Sequence, residues 1–209
     1  YTLNPSRYLQ KEMLIKNGVP FESVIKNITR GAQIKASVLD EIVSDEPTNM
    51  QYLMLANLQD GIISDDLPYL KEMNPKYEKY CIKNGSLVIS KNVSPVKMAI
   101  ASVKEGNKIL ANGNLYVIEL DEDKINPYFL KAYLESENGK AALSRVAVGA
   151  TLLNLPVEGL KKVIIPLPDL ESQKKIADQY YAKLSEIKEL KYKLEKATEE
   201  LEHIYTEEK

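Results

Sequence analysis

The stretch IIPLPDLESQKKIADQYYAKL (residues 164–184) changes its pattern abruptly. The apolar run that ends at Ile165 predicts a short buried strand, and Pro166 and Pro168 end it because proline lacks the amide proton that a strand ladder needs. Asp169 is the predicted N-cap of a helix, since a carboxylate accepts hydrogen bonds from the free amides of a first helical turn. The stretch therefore predicts a strand that leads through Pro-x-Pro directly into a long helix.

This helix continues to Lys209 without a glycine or a proline. From residue 187 onward its apolar residues recur at alternating intervals of three and four, which is typical of a coiled-coil seam. Such a stripe needs a covering surface, which we expect to be a helix of a second recognition domain or of a second copy, the alternative being the globule itself. The predicted pairing residues are Ile187, Leu190, Leu194, Ala197, Leu201 and Ile204.

The residues before the helix predict a globule of mixed helices and strands. Val24, Ile25 and Ile28 have helical spacing before Gly31, and residues 125–146 predict one helix capped by Asn126. Short apolar runs separated by Asp-Gly and Asn-Gly pairs predict strands and turns between these helices. We therefore expect an α+β (mixed α/β) fold in two parts, a globular domain over 1–168 and a long helix over 169–209. Because the chain begins with a tyrosine, we interpret it as part of a longer protein.

Composition limits the class of protein. A hydrophobic fraction of 44% is sufficient for a core, and no apolar run is long enough to span a membrane. A single cysteine, Cys81, indicates a reducing compartment, which we take to be the cytoplasm. The net charge is −2, but residues 79–118 contain six lysines and one glutamate, a local charge of +5 that is able to attract phosphates.

Catalytic chemistry has little support in the sequence. His203 is the only histidine, which leaves no Ser-His or Cys-His pair within the globule, and one cysteine cannot form a zinc cluster. The nine glycines are dispersed, so no phosphate-binding or dinucleotide fingerprint exists. NPKY (74–77) and NPYF (126–129) resemble the Asn-Pro-Pro-Tyr/Phe motif of amino-methyltransferases, but each lacks the second proline. We predict no catalytic site, no metal and no cofactor.

Three polar loops are the candidates for DNA binding. Lysine and arginine neutralise phosphates, whereas asparagine, glutamine, serine and threonine bind base edges as well. Any one of these loops is ordinary by itself, but together they would form one polar, cationic edge. The candidate residues are Arg30, Gln33 and Lys35 in the first loop, Lys91, Asn92, Ser94 and Lys97 in the second, and Arg145, Thr151 and Asn154 in the third.

The order of these features resembles a known family. Six segments follow one another along nearly the whole chain: an early Arg-Gly, YLMLANLQDGII, NGSLVISKNVSPVKMA, NPYFLKAYLESENGKAAL, VGATLLNL and finally KKVIIPLPDLESQKKIADQ. They are similar to a target recognition domain of the specificity (S) subunits of type I restriction-modification systems, and to the similar domains fused to N6-adenine DNA methyltransferases. The resemblance implies a non-catalytic globule that reads half of a bipartite site in double-stranded DNA. It also implies a methyltransferase subunit or a fused methyltransferase domain as partner.

The sequence departs from the usual S subunit because it has one recognition domain and one long helix instead of two of each. It is interpreted either as a half-subunit that dimerises or as the tail of a fused methyltransferase. A different class also fits the residues, namely a protein-interaction adaptor that oligomerises through its C-terminal helix and binds no DNA. A steep salt dependence of duplex binding distinguishes the DNA-binding interpretation from the adaptor.

Overall fold

The computed structural model describes residue 15 and residues 18–71, 74–92 and 95–204 of the chain. Within these ranges the strands are β1 (Gly18–Pro20), β2 (Ile25–Arg30), β3 (Val43–Ser44), β4 (Met50–Leu53), β5 (Leu58–Gln59), β6 (Ile62–Ile63), β7 (Tyr69–Leu70), β8 (Leu87–Ser90), β9 (Met98–Ile100), β10 (Lys108–Ala111), β11 (Leu115–Leu120) and β12 (Ile164–Pro166). The α-helices are α1 (Ala36–Ile42), α2 (Pro127–Glu135), α3 (Glu137–Val146), α4 (Val157–Lys161) and α5 (Leu170–His203). Short 3-10 helices cover Phe21–Val24, Leu55–Asn57 and Pro75–Tyr80.

The strands form two four-stranded sheets and two short pairs. The first sheet has the order β2-β11-β8-β9 and is antiparallel throughout. The second sheet has the order β10-β4-β7-β3, in which β10 and β4 run parallel. The strand pairs are β1 with β12 and β5 with β6, so the strand before the long helix is paired with the first described strand.

The core is built in layers because the strands of the first sheet alternate their side chains between its two faces. Leu87, Ile89 and Ile118 face the cluster that includes helices α2 and α3. Val88 and Val117 face the other way, into a second cluster shared with the second sheet. Burial on both faces explains why β8 and β11, in the middle of the sheet, are largely apolar. The mixed α+β fold predicted from the sequence is confirmed.

The sequence-based prediction for residues 24–30 is wrong. These residues form the end of a 3-10 helix and then strand β2, in which Ile25 pairs with Leu120 and Ile28 with Ile118 of β11. The register shifts between Glu119 and Leu120, a β-bulge that breaks the twofold alternation. Both isoleucines therefore pack against the same core although they are three residues apart.

The predicted single helix over 125–146 is also wrong, because it consists of α2 and α3. Asn126 caps α2 as expected, since its side chain accepts the amide protons of Tyr128 and Phe129. Ser136 then adopts an extended conformation, and its hydroxyl accepts the amide proton of Gly139 at 3.2 Å. The serine cap therefore begins a second helix at a point where the apolar pattern continues without interruption and predicts a single helix.

The junction with the long helix has the predicted form. The side chain of Asp169 accepts the amide proton of Ser172 at 2.9 Å, and α5 follows for 34 residues. Its first two turns are part of the globule, because Gln173 is fully buried and Ala177 is 3% exposed. From Tyr192 to Ile204 every residue of the helix and its end is exposed. Within the described residues, no helix is both long and apolar enough to cross a membrane.

The six residues predicted to pair with another helix are all exposed. Exposure of the five large side chains ranges from 42% at Ile187 to 69% at Leu201, and Ala197 is exposed as well. The globule contacts a different face of α5, since the buried residues Gln173 and Ala177 lie outside this stripe. The stripe is therefore not covered by the globule.

Candidate nucleic-acid interface

Most of the predicted DNA-binding residues lie at one end of the first sheet. Because neighbouring strands are antiparallel, the end of β2 at Arg30, the end of β8 at Ser90 and the beginning of β11 at Leu115 lie side by side. The beginning of β9 at Met98 lies at the same end. We call this end the loop edge and define it as residues 30–33, 91–92, 95–97, 112–114 and 148–155.

The loop after β8 is held to this edge by hydrogen bonds from its own strand. The hydroxyl of Ser90 donates to the carbonyl of Asn92 at 2.8 Å and accepts the amide proton of Lys97 at 2.9 Å. The amide of Lys91 donates to the carbonyl of Asn114 at 2.9 Å. These bonds fix the backbone positions of both lysines on the loop edge.

The turn over residues 148–154 is attached to the same loop. The amides of Val148 and Asn154 each donate to the other's carbonyl at 2.8 Å, and Asn154 also forms a bridge with Asn92. The next residue along, Leu155, donates its amide proton to the carbonyl of Lys91 at 2.7 Å. Thr151 is exposed at the tip of this turn. The third predicted loop is therefore bonded directly to the second.

The first predicted loop joins the edge through Arg30. Its Nε donates to the carbonyl of Gly113 at 2.8 Å, and Gln33 contacts Gly113, since a Cβ added at this glycine would lie 2.7 Å from the Cγ of Gln33. Burial, and then the charge of Arg30, lower the pKa of Lys91. Among the described residues, no carboxylate forms an ion pair with Arg30, Lys91 or Lys97. Two adjacent cations without an acidic partner favour an anion as ligand.

Two of the predicted residues are not brought to this edge, and a third lies outside the described residues. Lys35 precedes α1, and its carbonyl accepts the amide protons of Val38 and Leu39 at 3.0 Å. Arg145 lies at the end of α3, where its charge acts on Tyr133, the hydroxyl of which donates to the carbonyl of Ile164. Ser94 lies outside the described residues.

The lysine-rich segment does not form a single cationic surface. Lys83 pairs with Glu119 at 2.6 Å near the opposite end of the first sheet, and Lys108 pairs with Glu78 at 2.7 Å. Lys79 lies 5.0 Å above the ring of Tyr80. The positive charge left for a ligand at the loop edge is therefore that of Arg30 and of two of the six lysines, Lys91 and Lys97.

Two features of the edge were missed by sequence reasoning. Asn112 and Asn114 flank Gly113 in the turn between β10 and β11, where the Asn112 side chain accepts the amide proton of Asn114 at 2.9 Å. Leu152, in the turn over 148–154, is 68% exposed beside these polar groups. The Asn-Gly-Asn sequence was a signal of a turn, but only the pairing of β11 with β2 and β8 shows that it lies beside Arg30.

The described residues offer no alternative metal chemistry at this edge or elsewhere. Within those ranges, no group of three or more histidine, cysteine, aspartate or glutamate side chains is arranged to hold a metal ion. The polar groups of the loop edge are amides, hydroxyls, ammonium groups and a guanidinium. This set is suited to hydrogen bonds with phosphates and base edges.

Comparison with protein-family models finds a match over most of the chain. Residues 44–200 match the model described as type I restriction modification DNA specificity domain. No curated protein matches the chain in sequence. The matched range includes the loops at 91–97, 112–114 and 148–155 and most of α5.

Solved structures with the same fold come from restriction systems. A chain from a structure on complex assembly and conformational transition of the type I R-M system has a TM-score of 0.59 at 20% identity, over 88% of this chain and 43% of that chain. The HsdS subunit from Thermoanaerobacter tengcongensis has a TM-score of 0.55 at 17% identity, over 83% and 39%. The type IIG restriction endonuclease BpuSI has a TM-score of 0.56 at 10% identity, over 80% and 26%. At these identities the likeness establishes the fold, and the chain spans about two fifths of the first two relatives.

Proposed function

The chain belongs to the type I restriction modification DNA specificity domain family, and on that premise we propose that it recognises a DNA target sequence for a restriction-modification complex. The observation that carries the proposal is the loop edge, where Arg30, Lys91 and Lys97 lie at the same end of the first sheet as several asparagines, and where no carboxylate among the described residues pairs with these cations. In this proposal the cations bind phosphates of the duplex, and Asn92, Asn154 and the turn at 112–114 contact base edges.

The proposed partners follow from the same family. One of the similar structures comes from work on complex assembly of the type I R-M system. We propose that this chain likewise works with a methyltransferase subunit, or with a methyltransferase domain of the same polypeptide, in the bacterial cytoplasm. The specificity domain would then choose the site while the methyltransferase performs the chemistry. No observation in the structure favours the alternative of an adaptor that binds no DNA.

We further propose that α5 pairs with a second such helix and that this pairing separates two recognition domains along one duplex. The support is the exposed stripe from Ile187 to Ile204, which the globule does not cover. In this division residues 1–168 bind the DNA target, and residues 169–209 set the distance between the two recognition domains. The buried contacts of Gln173 connect the two parts rigidly.

The proposal is tested by the salt dependence of duplex binding. The full-length protein that contains this chain is mixed with a labelled duplex library of randomised sequence, and its affinity is measured from about 50 to 200 mM salt. We expect the logarithm of the affinity to fall linearly with the logarithm of salt concentration. Replacement of Lys91 and Lys97 by glutamate should weaken binding at every salt concentration and reduce the slope by about 2, since each phosphate contact contributes about 1.

A matched control uses two lysines away from the loop edge. Lys162 and Lys174 are exposed and make no ion pair among the described residues, so Lys162→Glu with Lys174→Glu produces the same change in net charge. The control should bind with the slope of the unmodified protein. Equal losses in both variants would mean that net charge alone matters and would remove the loop edge from the interface. A flat salt dependence of the unmodified protein would contradict the DNA-binding function itself.

A further inference from the structure

The hairpin formed by β5 and β6 is the part of the globule that contacts α5 furthest from the beginning of the helix. Its turn is Asp60-Gly61, and both residues have positive φ, 50° and 79°. This is the geometry of the two-residue turn that twists with its strands, and aspartate and glycine are the residue types that tolerate it. Asp65 follows β6 closely. The segment over residues 58–65 therefore presents one carboxylate from a tightly defined turn and a second one just after β6.

Both carboxylates form ion pairs with the long helix. Asp65 pairs with Lys188 at 2.8 Å, and Asp60 pairs with Lys191 one turn further along. Nearer the beginning of the helix, Gly61 lies close to the side chain of Leu184, since a Cβ added at this glycine would be 3.4 Å from it. The hairpin contacts α5 at three successive positions on one face.

A buried polar network lies beneath the hairpin turn. Lys131 of α2 is fully buried, and its ammonium group binds the carboxylate of Glu135 at 2.9 Å and the hydroxyl of Tyr180 of α5. The Tyr180 hydroxyl donates in turn to Glu135. A Cβ at Gly61 would lie only 2.6 Å from this ammonium group. The network joins α2 to α5, and the glycine allows the hairpin to close over it.

The hairpin itself stands between two clefts. One of about 900 Å³ is lined by Asp60 and Gly61 on one side of the turn, and another of about 660 Å³ is lined by Gly61 and Ile62 on the other side. The turn of the hairpin is therefore open on both sides, although Leu58 of β5 is buried in the core. The ion pairs with the distal part of α5 are made by Asp60 in this turn and by Asp65. Those ion pairs are largely exposed, with side-chain exposures of 41–85%, so each is weak and sensitive to salt.

Lys191 is also the last partly buried residue of α5, since residues 192–204 are all exposed. The direction of a stiff helix beyond its last support is set by that support. A tilt of about 15° at Lys191 would displace residue 202 by roughly 4 Å, because eleven residues rise about 16 Å along a helix. Small changes at the hairpin are thus amplified at the end of the helix.

We propose that residues 58–65 act as a clasp that sets the direction in which α5 leaves the globule, with Asp60, Asp65, Lys188 and Lys191 as its positioning residues. If the chain recognises DNA as proposed above, the clasp also determines which separation of two half-sites the protein accepts. The first statement stands without DNA, and the second rests on the proposed function.

The direct test measures the distance between spin labels at positions 22 and 202, both exposed, by pulsed electron paramagnetic resonance on the full chain. Labelled protein is diluted in unlabelled protein so that each signal comes from within one molecule. We expect one narrow distance distribution at low salt. Asp60→Asn with Asp65→Asn should shift or broaden it by roughly 4 Å, the displacement that corresponds to a tilt of about 15°.

Several controls separate the clasp from general destabilisation. Asparagine tolerates the positive φ of Asp60, so the turn is retained. Lys188→Gln with Lys191→Gln removes the same pairs from the helix side and should give the same distribution. Glu186→Gln with Glu189→Gln produces the same charge change as the aspartate variant but breaks pairs within α5, namely those with Lys183 and Lys193, and should leave the distance unchanged.

The outcomes distinguish the two statements. An unchanged distribution in both clasp variants, or an equal change in the Glu186 and Glu189 control, would overturn the clasp. The second measurement compares binding to duplexes whose half-sites differ only in separation, and the clasp variants should lose the preference for one separation. If the distance changes while the unmodified protein binds no duplex, the clasp stands and the proposed function fails. If binding is intact but the preference for one separation is unaltered, the role in spacing is refuted.

Discussion

Gln173 ties the first turn of the long helix to the globule, and its truncation gives the sharpest prediction for stability. The fully buried amide accepts the amide proton of Asn126 at 2.8 Å and donates to the carbonyls of Lys124 and Pro168 at 3.0 and 2.8 Å. Gln173→Ala removes all three bonds and leaves three partly buried backbone groups without partners. At about 1 kcal/mol for each bond, the expected loss of unfolding free energy is about 3 kcal/mol.

The assay is thermal and urea unfolding at a fixed protein concentration, since association would otherwise alter the apparent stability. A loss of about 3 kcal/mol corresponds to a decrease in melting temperature of about 6–12 °C for a protein of this size. Gln179→Ala is the matched control, because Gln179 is exposed on the same helix. A decrease of under about 2 °C in the Gln173 variant would show that water replaces the lost bonds, and the argument for a rigid junction would be refuted.

Two further predictions concern the beginning and the distal part of α5. The bonds from the amide and hydroxyl of Ser172 lower the pKa of Asp169, so its stabilising effect is present above about pH 4 and is lost as the pH falls through the lowered pKa. Asp169→Asn should therefore lose less unfolding free energy than the unmodified protein between pH 6 and pH 3 in urea titrations, and an identical acid dependence would contradict this. Leu194→Asp with Leu201→Asp should abolish self-association, and a sedimentation mass still equal to that of the dimer would show that the exposed stripe is not the pairing surface.

The elements that the sequence predicted correctly are those determined by neighbouring residues. Asp169 and Asn126 are caps whose bonds reach only two or three residues along the chain, so a local pattern is sufficient. The prediction for residues 24–30 failed because Val24, Ile25 and Ile28 match a helical period, whereas a bulge in β2, with Lys26 as the extra residue opposite Glu119 and Leu120, produces the same spacing in a strand. The bulge exists only in the pairing with β11, which lies more than 90 positions away in the sequence, so no local pattern indicates it.

The charge of the candidate site also depends on long-range contacts that a local sequence pattern does not indicate. The polar loops were recognisable because lysine, asparagine and glycine follow apolar strand residues. The sequence did not show which lysines remain available to a ligand. Lys83 and Lys108 are neutralised by Glu119 and Glu78, which lie in distant parts of the chain. The assembly of the loop edge depends on strand order, which places residue 30 beside residue 113.

The long helix explains why one pattern was found and another was overlooked. The stripe from Ile187 to Ile204 is apolar and regular, so its period is visible in the sequence. The face that contacts the globule contains Gln173, Ala177, Tyr180, Leu184, Lys188 and Lys191, whose polar groups are bonded individually to the globule and carry no hydrophobic period. Since Ala177 and Leu194 are 17 residues apart at about 100° per residue, the two faces are rotated by about 100°. A partner helix is therefore able to cover the stripe while the globule keeps its own contacts, so the Leu194 and Leu201 variant should abolish pairing and leave the distance set by the clasp unchanged.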